Sequence, residues 1–113
     1  MAIAPGTYDM TIQRRSDHAV NFELKDSSNA AVNLTGYTLA SQVWDSSRTS
    51  KAADATITVT NTTGGLFTWK VTDTQTSGFS SNEYKYDILL TSGSGDKEYW
   101  VQGTIYMSQG FTA

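Results

Sequence analysis

The chain has 113 residues, no Cys, one His and a formal net charge of −3. That length fits one domain, able to bury a modest core without metal or disulfide support. The missing Cys excludes disulfide stapling and thiolate chemistry. The acidic balance argues against a nucleic-acid partner, because phosphate binding needs clustered Lys and Arg, and here only Arg14 and Arg15 are adjacent.

Charged residues make up just 17% of the chain, and 17 Thr and 13 Ser supply most of its polarity. Thr is β-branched and suits a pleated, half-exposed surface, so this composition points to strands. The opening Met1-Ala2-Ile3-Ala4-Pro5-Gly6 has neither a basic n-region nor an apolar h-region, and no signal peptide is expected. No apolar run approaches a bilayer span, so no membrane partner is expected and synthesis is expected in a cytoplasm.

Short alternating runs recur every ten or so positions, separated by turn residues, which is the spacing of a sandwich or barrel. Residues 7–13 alternate Tyr8, Met10 and Ile12 with polar side chains; residues 20–25 place Val20, Phe22 and Leu24 inward. Asp26-Ser27-Ser28-Asn29 reads as a turn, with Asn29 suited to a left-handed backbone. Val32-Asn33-Leu34 and Thr35-Gly36 lead to a strand over residues 37–44. Residues 45–54 are polar and form the longest loop candidate, the segment expected to be most mobile. A strand over 56–61, the hairpin turn Thr62-Thr63-Gly64-Gly65 and a strand over 66–72 follow, with Phe67, Trp69 and Val71 on one face. Residues 74–81 read as a linker with room for one helical turn. Residues 83–91 alternate most cleanly, through Tyr84, Tyr86, Ile88 and Leu90. After Ser92-Gly93-Ser94-Gly95-Asp96 a long last strand covers 97–107, with Tyr99, Val101, Gly103, Ile105 and Met107 on one face and Trp100, Gln102, Thr104 and Tyr106 on the other. The expected fold is therefore all-β, an immunoglobulin-like antiparallel β-sandwich of about seven strands, one domain spanning residues 1–113.

The residues offer little to a catalyst. The single His, His18, falls in the turn between the first two strands and is expected to face solvent; no G-x-S-x-G nucleophile elbow occurs. The acids are scattered, mostly in turns where Asp caps backbone donors. No catalytic, cofactor-binding or metal-ligating residue is assigned, and the chain is expected not to be an enzyme. Asn33-Leu34-Thr35 and Asn61-Thr62-Thr63 match the glycosylation sequon, and neither is expected to be used without a signal peptide. The tryptophans admit three readings: core packing, protein interface or stacking on sugar rings. Trp69 shares its face with Phe67 and Val71 and reads as core; Trp44 and Trp100 lie opposite the apolar faces of their strands and are candidates for exposed anchors. Tyr106 and Arg48 complete the set of interface candidates. Trp100→Ala is expected, on this reading, to weaken docking and spare the fold.

Gly6-Thr7-Tyr8-Asp9-Met10-Thr11-Ile12-Gln13-Arg14 at the start, Phe22-Glu23-Leu24-Lys25-Asp26 and Asn33-Leu34-Thr35-Gly36-Tyr37 in the middle, and Tyr84-Lys85-Tyr86-Asp87-Ile88-Leu89-Leu90 before a hairpin and a long final strand form a recognisable series. Together they resemble the small immunoglobulin-like module of tailed-phage virion proteins, similar to the N-terminal domain of phage baseplate upper proteins and related tail and head accessory proteins. The chain departs from that pattern in Arg15-Ser16-Asp17, where Gly often follows the first Arg, and at Asn29, where the turn usually ends in Gly. Baseplate upper proteins also continue into further domains where this chain stops at Ala113, which favours a stand-alone subunit. The resemblance implies a virion location and partners among other virion proteins, the major capsid protein or tail and baseplate proteins, together with copies of the chain itself. A capsid decoration or cement role is the leading expectation, a tail or baseplate role the next. A carbohydrate-binding adhesion module is the alternative from another class. Exposed sheet edges are expected to serve docking, with the first strand and the long last strand as candidates.

Overall fold

The structure is a computed structural model that describes residues 6–26 and 28–110. Among them are eight strands and one short helix: β1 Gly6–Thr7, β2 Met10–Gln13, β3 His18–Glu23, β4 Thr38–Asp45, β5 Lys51–Asn61, β6 Leu66–Val71, α1 Asp73–Ser77, β7 Glu83–Thr91 and β8 Lys97–Ser108. The expected first strand is two strands, because the chain leaves its ladder at Tyr8 and Asp9.

Two sheets face each other and share β5. The first runs from β1 and β2 through β8, β7 and β4 to the first half of β5; the second runs from the second half of β5 through β6 to β3. β1 and β2 lie parallel to β8, and every other pairing is antiparallel. The long last strand is therefore interior to its sheet, between β7 and β1–β2, and does not offer the open edge expected of it; β1–β2 does.

Alternation places the core. Val43, Ile88, Leu90, Val101 and Ile105 point inward from the first sheet, and Phe22, Phe67, Trp69 and Val71 meet them from the second. Burial of such side chains contributes roughly 1.5–3 kcal/mol each relative to exposure. Trp69 is fully buried, as its face implied. Its indole N–H donates to Ser41 Oγ at 2.8 Å, and that hydroxyl donates to the Asp87 carbonyl, so one polar chain ties the second sheet to the first.

The turns follow their residues. Asn29 takes a left-handed φ of +64°, and Asp26 Oδ1 accepts the Ser28 and Ala30 N–H groups, although Ser27 of that turn lies outside the described residues. Gly65 closes the β5–β6 hairpin at φ +68°, its Cα against the Leu24 and Val32 carbonyls. The helical turn expected in the linker is α1. Thr72 caps it by accepting from the Gln75 N–H while the Gln75 side chain accepts from the Thr72 N–H. Buried Thr76 bonds to Ser16 in both directions, which holds α1 against the β2–β3 turn.

Three further expectations are corrected by the structure. The long loop over 45–54 shrinks to a tight turn over 46–50, because β5 begins at Lys51 opposite Trp44. The Asp45 carboxylate accepts from the Thr49 hydroxyl and N–H, which organises that turn and holds the carboxyl below its usual range. His18 is not a solvent-facing turn residue: it opens β3 opposite Val71, half-buried, with Nε2 buried and no hydrogen-bond partner among the described residues, and burial lowers its pKa.

Trp100 is the third. The β7–β8 ladder pairs Ile88 with Val101 and Leu89 with Tyr99, so Trp100 is the extra residue of a β-bulge. The bulge inverts the alternation ahead of Val101. Tyr99 turns outward, 60% exposed, and Trp100 turns to the core rim, edge-on to Phe22 and Phe67 with ring centroids 5.7 Å away in each case. Trp100→Ala should therefore cost the fold itself about 2 kcal/mol, roughly half the value for a fully buried aromatic. An unchanged urea midpoint in that variant would return Trp100 to the list of exposed anchors.

Candidate docking groove

The outward side chains of the first sheet form two rows across its strands. Gln42 on β4, Asp87 on β7, Gln102 on β8 and Thr7 on β1 stand in register in one. Trp44, Lys85 and Thr104 stand in register in the other, and Asp9 ends it by accepting the Thr104 N–H at 2.8 Å. With the 46–50 turn at one end, these rows line an open groove of about 510 Å³.

At the edge of the groove β1 approaches β8 very closely. Gly103 has no side chain to hold them apart, and the Tyr8 carbonyl sits over its Cα, accepting from the Tyr86 hydroxyl. Burial raises the Tyr86 phenol well above its ordinary pKa, so the group remains a donor at any physiological pH.

The side chains along the groove hold one another. Lys85 Nζ donates to Thr104 Oγ1 at 2.6 Å, and Trp44 Nε1 donates to Gln42 Oε1 at 3.0 Å. Arg48 takes a left-handed φ of +57°, which brings its guanidinium 4.8 Å from the centroid of the Trp44 ring. Arg48 is exposed, and cation–π contacts at exposed sites contribute roughly 0.5–1 kcal/mol. Burial pushes the Asp87 carboxyl up, and the charge of Arg48 pulls it part of the way back.

A pH dependence follows. The folded-state pKa of Asp87 lies above the ordinary carboxyl range, so in the window just above that range the native state binds more protons than the unfolded chain. Asp87 therefore lowers stability as pH rises through that window and leaves it lowered at neutral pH. Asp87→Asn should melt at the wild-type temperature or above at neutral pH, with the advantage shrinking in acid. A variant that melts well below wild type at neutral pH would contradict this assignment.

Of the four interface candidates, the fold brings Trp44 and Arg48 together at one end of the groove. Tyr106 lies on the same outward face of β8, 47% exposed, opposite Glu83 and Thr11 and beyond the groove itself. Trp100 is on the core rim instead. Asp9, Gln42, Lys85, Asp87, Gln102 and Thr104 were not singled out from the sequence. The outward phase of β7 was readable there, but which strands flank it was not. Among the described residues no three His, Cys, Asp or Glu side chains are placed to hold a metal ion.

No family model and no curated protein matches the chain. Among solved structures it is similar to the crystal structure of the Lin-41 filamin domain, with a TM-score of 0.50 and 14% identity over 88% of this chain and 84% of that one. Likeness at that identity concerns the fold alone, and the fold is the all-β immunoglobulin-like sandwich that the strand spacing implied.

Proposed function

We propose that the chain is a non-enzymatic structural accessory protein of a tailed-phage virion, docking on other virion proteins, with a capsid decoration or cement role ahead of a tail or baseplate role. The observation that carries the docking part is the pre-bonded groove face. Arg48 on Trp44, Trp44 on Gln42, Lys85 on Thr104 and Asp9 on the Thr104 N–H are positioned before any partner arrives. Side chains already ordered lose little entropy on association, and Trp, Tyr and Arg are the residues that most often anchor interfaces. The virion part rests on the resemblance of the segments quoted above. They form the edge pair β1–β2, the end of β3 and the residues after it, the tight turn in which Asn33 Oδ1 accepts from Thr35, and the centre of β7.

The saccharide-binding reading has one observation in its favour: a Trp ring in a groove with the carboxylate and amides of Asp87, Gln42 and Gln102. Against it, Arg48 covers a face of that ring and Trp100 lies on the core rim, so these two rings do not form a coplanar platform.

Quantitative mass spectrometry of purified particles tests the proposal. Copies comparable to the major capsid protein are expected for a decoration subunit. A small fraction of that number places the chain in the tail or baseplate. Absence from particles overturns the virion reading and makes titration of tryptophan fluorescence with host polysaccharide the next measurement.

A further inference from the structure

Open sheet edges template pairing with another chain, and soluble proteins blunt them with charge, Pro or a covering element. Three of the edges here are blunted. β1–β2 breaks at Tyr8 and turns Asp9 toward β8; β3 carries the Glu23–Lys25 ion pair at 3.2 Å; the first half of β5 carries the Lys51–Asp54 ion pair, and Gln75 of α1 donates to its Asp54 carbonyl. The second half of β5 has none of these. Residues 55–69 contain no charged side chain and no Pro. β4 has already parted from it, because the β4–β5 register ends at Ser41 opposite Ala55.

The ladder shows which peptide groups are left over. Leu24 N–H bonds to the Gly65 carbonyl where β3 and β6 close, so odd-numbered residues of β6 face β3 and the even-numbered Thr68 and Lys70 face β5. Their partners on β5 are Thr58 and Thr56. Ile57 and Val59 therefore direct their N–H and C=O groups along the free edge. Their side chains are incompletely covered too, Ile57 half-buried and Val59 40% exposed.

We infer that this edge pairs with a second copy of the chain, antiparallel across a twofold axis at Thr58. One register uses all of the free groups. With Thr58 facing its own copy, Ile57 stands opposite Val59 of the second copy and Val59 opposite Ile57, so the peptide groups of both residues are satisfied on both chains. The apolar pair is buried on the inner face, and the threonines meet on the outer. A self-pairing strand must carry no like charges across the axis, and this segment meets that condition. The register shift between Val59 and Asn61 ends the straight stretch and limits the contact to a few residues. This pairing does not depend on the virion reading.

Sedimentation velocity over a dilution series of the full chain tests it, with Thr58→Lys and Thr58→Glu as variants. Thr58 is exposed and pairs with β6 through its backbone, so both variants should keep the fold, as far-ultraviolet circular dichroism will show. The wild type should dimerise. Each variant alone should dimerise at least roughly tenfold more weakly, because the axis sets like charges side by side. An equimolar mixture of the two should recover the dimer, as Lys then faces Glu. A wild type that stays monomeric throughout the series, a Thr58→Lys chain that dimerises as tightly as wild type, or a mixture no tighter than either variant overturns the inference.

Discussion

Trp69→Ala should lower the unfolding free energy by about 3–5 kcal/mol, a large share of the roughly 5–15 kcal/mol that holds a domain of this size. Trp69 is 0% exposed and fills the space between the sheets, with its ring 5.5 Å from that of Tyr86. Removing it leaves a cavity walled by strands of both sheets, and these cannot collapse inward without breaking their ladders. The indole N–H also supplies the polar link to Ser41. Trp69→Phe separates the two contributions. It restores most of the volume and loses only the hydrogen bond, and Ser41 keeps its donation to the Asp87 carbonyl. A loss of about 1–2 kcal/mol is expected for that variant. Urea unfolding followed by circular dichroism gives both values. A loss under about 1 kcal/mol for Trp69→Ala would mean that this ring is not the packing centre of the sandwich.

Gly103→Ala should cost about 2–4 kcal/mol and act on one edge of the first sheet. A Cβ there would lie 2.0 Å from the Tyr8 carbonyl oxygen, 2.7 Å from its carbon and 3.1 Å from Tyr86 Cε1. Backbone cannot yield as a side chain can, so β1 must move off β8. That movement breaks the Tyr86 hydroxyl bond to Tyr8, the 3.1 Å bond from the Tyr8 N–H to Gln102, and the seat of Asp9 on the Thr104 N–H. Hydrogen exchange locates the damage: the Tyr8 and Thr104 amides should lose protection while β3 and β6 keep theirs. Full protection at Thr104 in the alanine variant would show that the close approach of β1 to β8 is not as described. Because the groove is bounded by Thr7 and Asp9, the same variant should weaken docking on particles if, as proposed, the chain is a virion subunit that docks by this groove.

Local chemistry marked much of this fold in advance. Tyr84, Tyr86, Ile88 and Leu90 alternate without interruption, and β7 occupies residues 83–91 as read. Asn29 adopts the left-handed backbone that its residue type tolerates, and Trp69 is buried with Phe67 and Val71 because the three share one side of one strand. Each of these depends on neighbours two to four residues away, and such neighbours are written in the chain.

The groove was only half legible. Trp44 was readable as outward-facing from the alternation of β4, and Arg48 from the polar stretch after it. Their stacking was not readable, because it depends on the left-handed turn that Asp45 organises and on β5 starting at Lys51. Lys85 and Asp87 occupy the outward phase of a strand whose strong sequence signal is its inward, apolar phase. Gln42 and Gln102 stand opposite Asp87 across 45 and 15 residues of sequence, and Asp9 reaches the same rows through Thr104, 95 residues away.

The sequence by itself determined the all-β class, the faces and turns of most strands, and the absence of thiol chemistry, since a period of two and the φ preferences of Gly and Asn are local properties. The tertiary structure alone decided the strand order, the parallel docking of β1 and β2 on β8, the crossing of β5 between sheets, and the side on which Trp100 lies. A single bulge inverts every side chain beyond it, and its position is set by the partner strand's register, which no short stretch of residues contains.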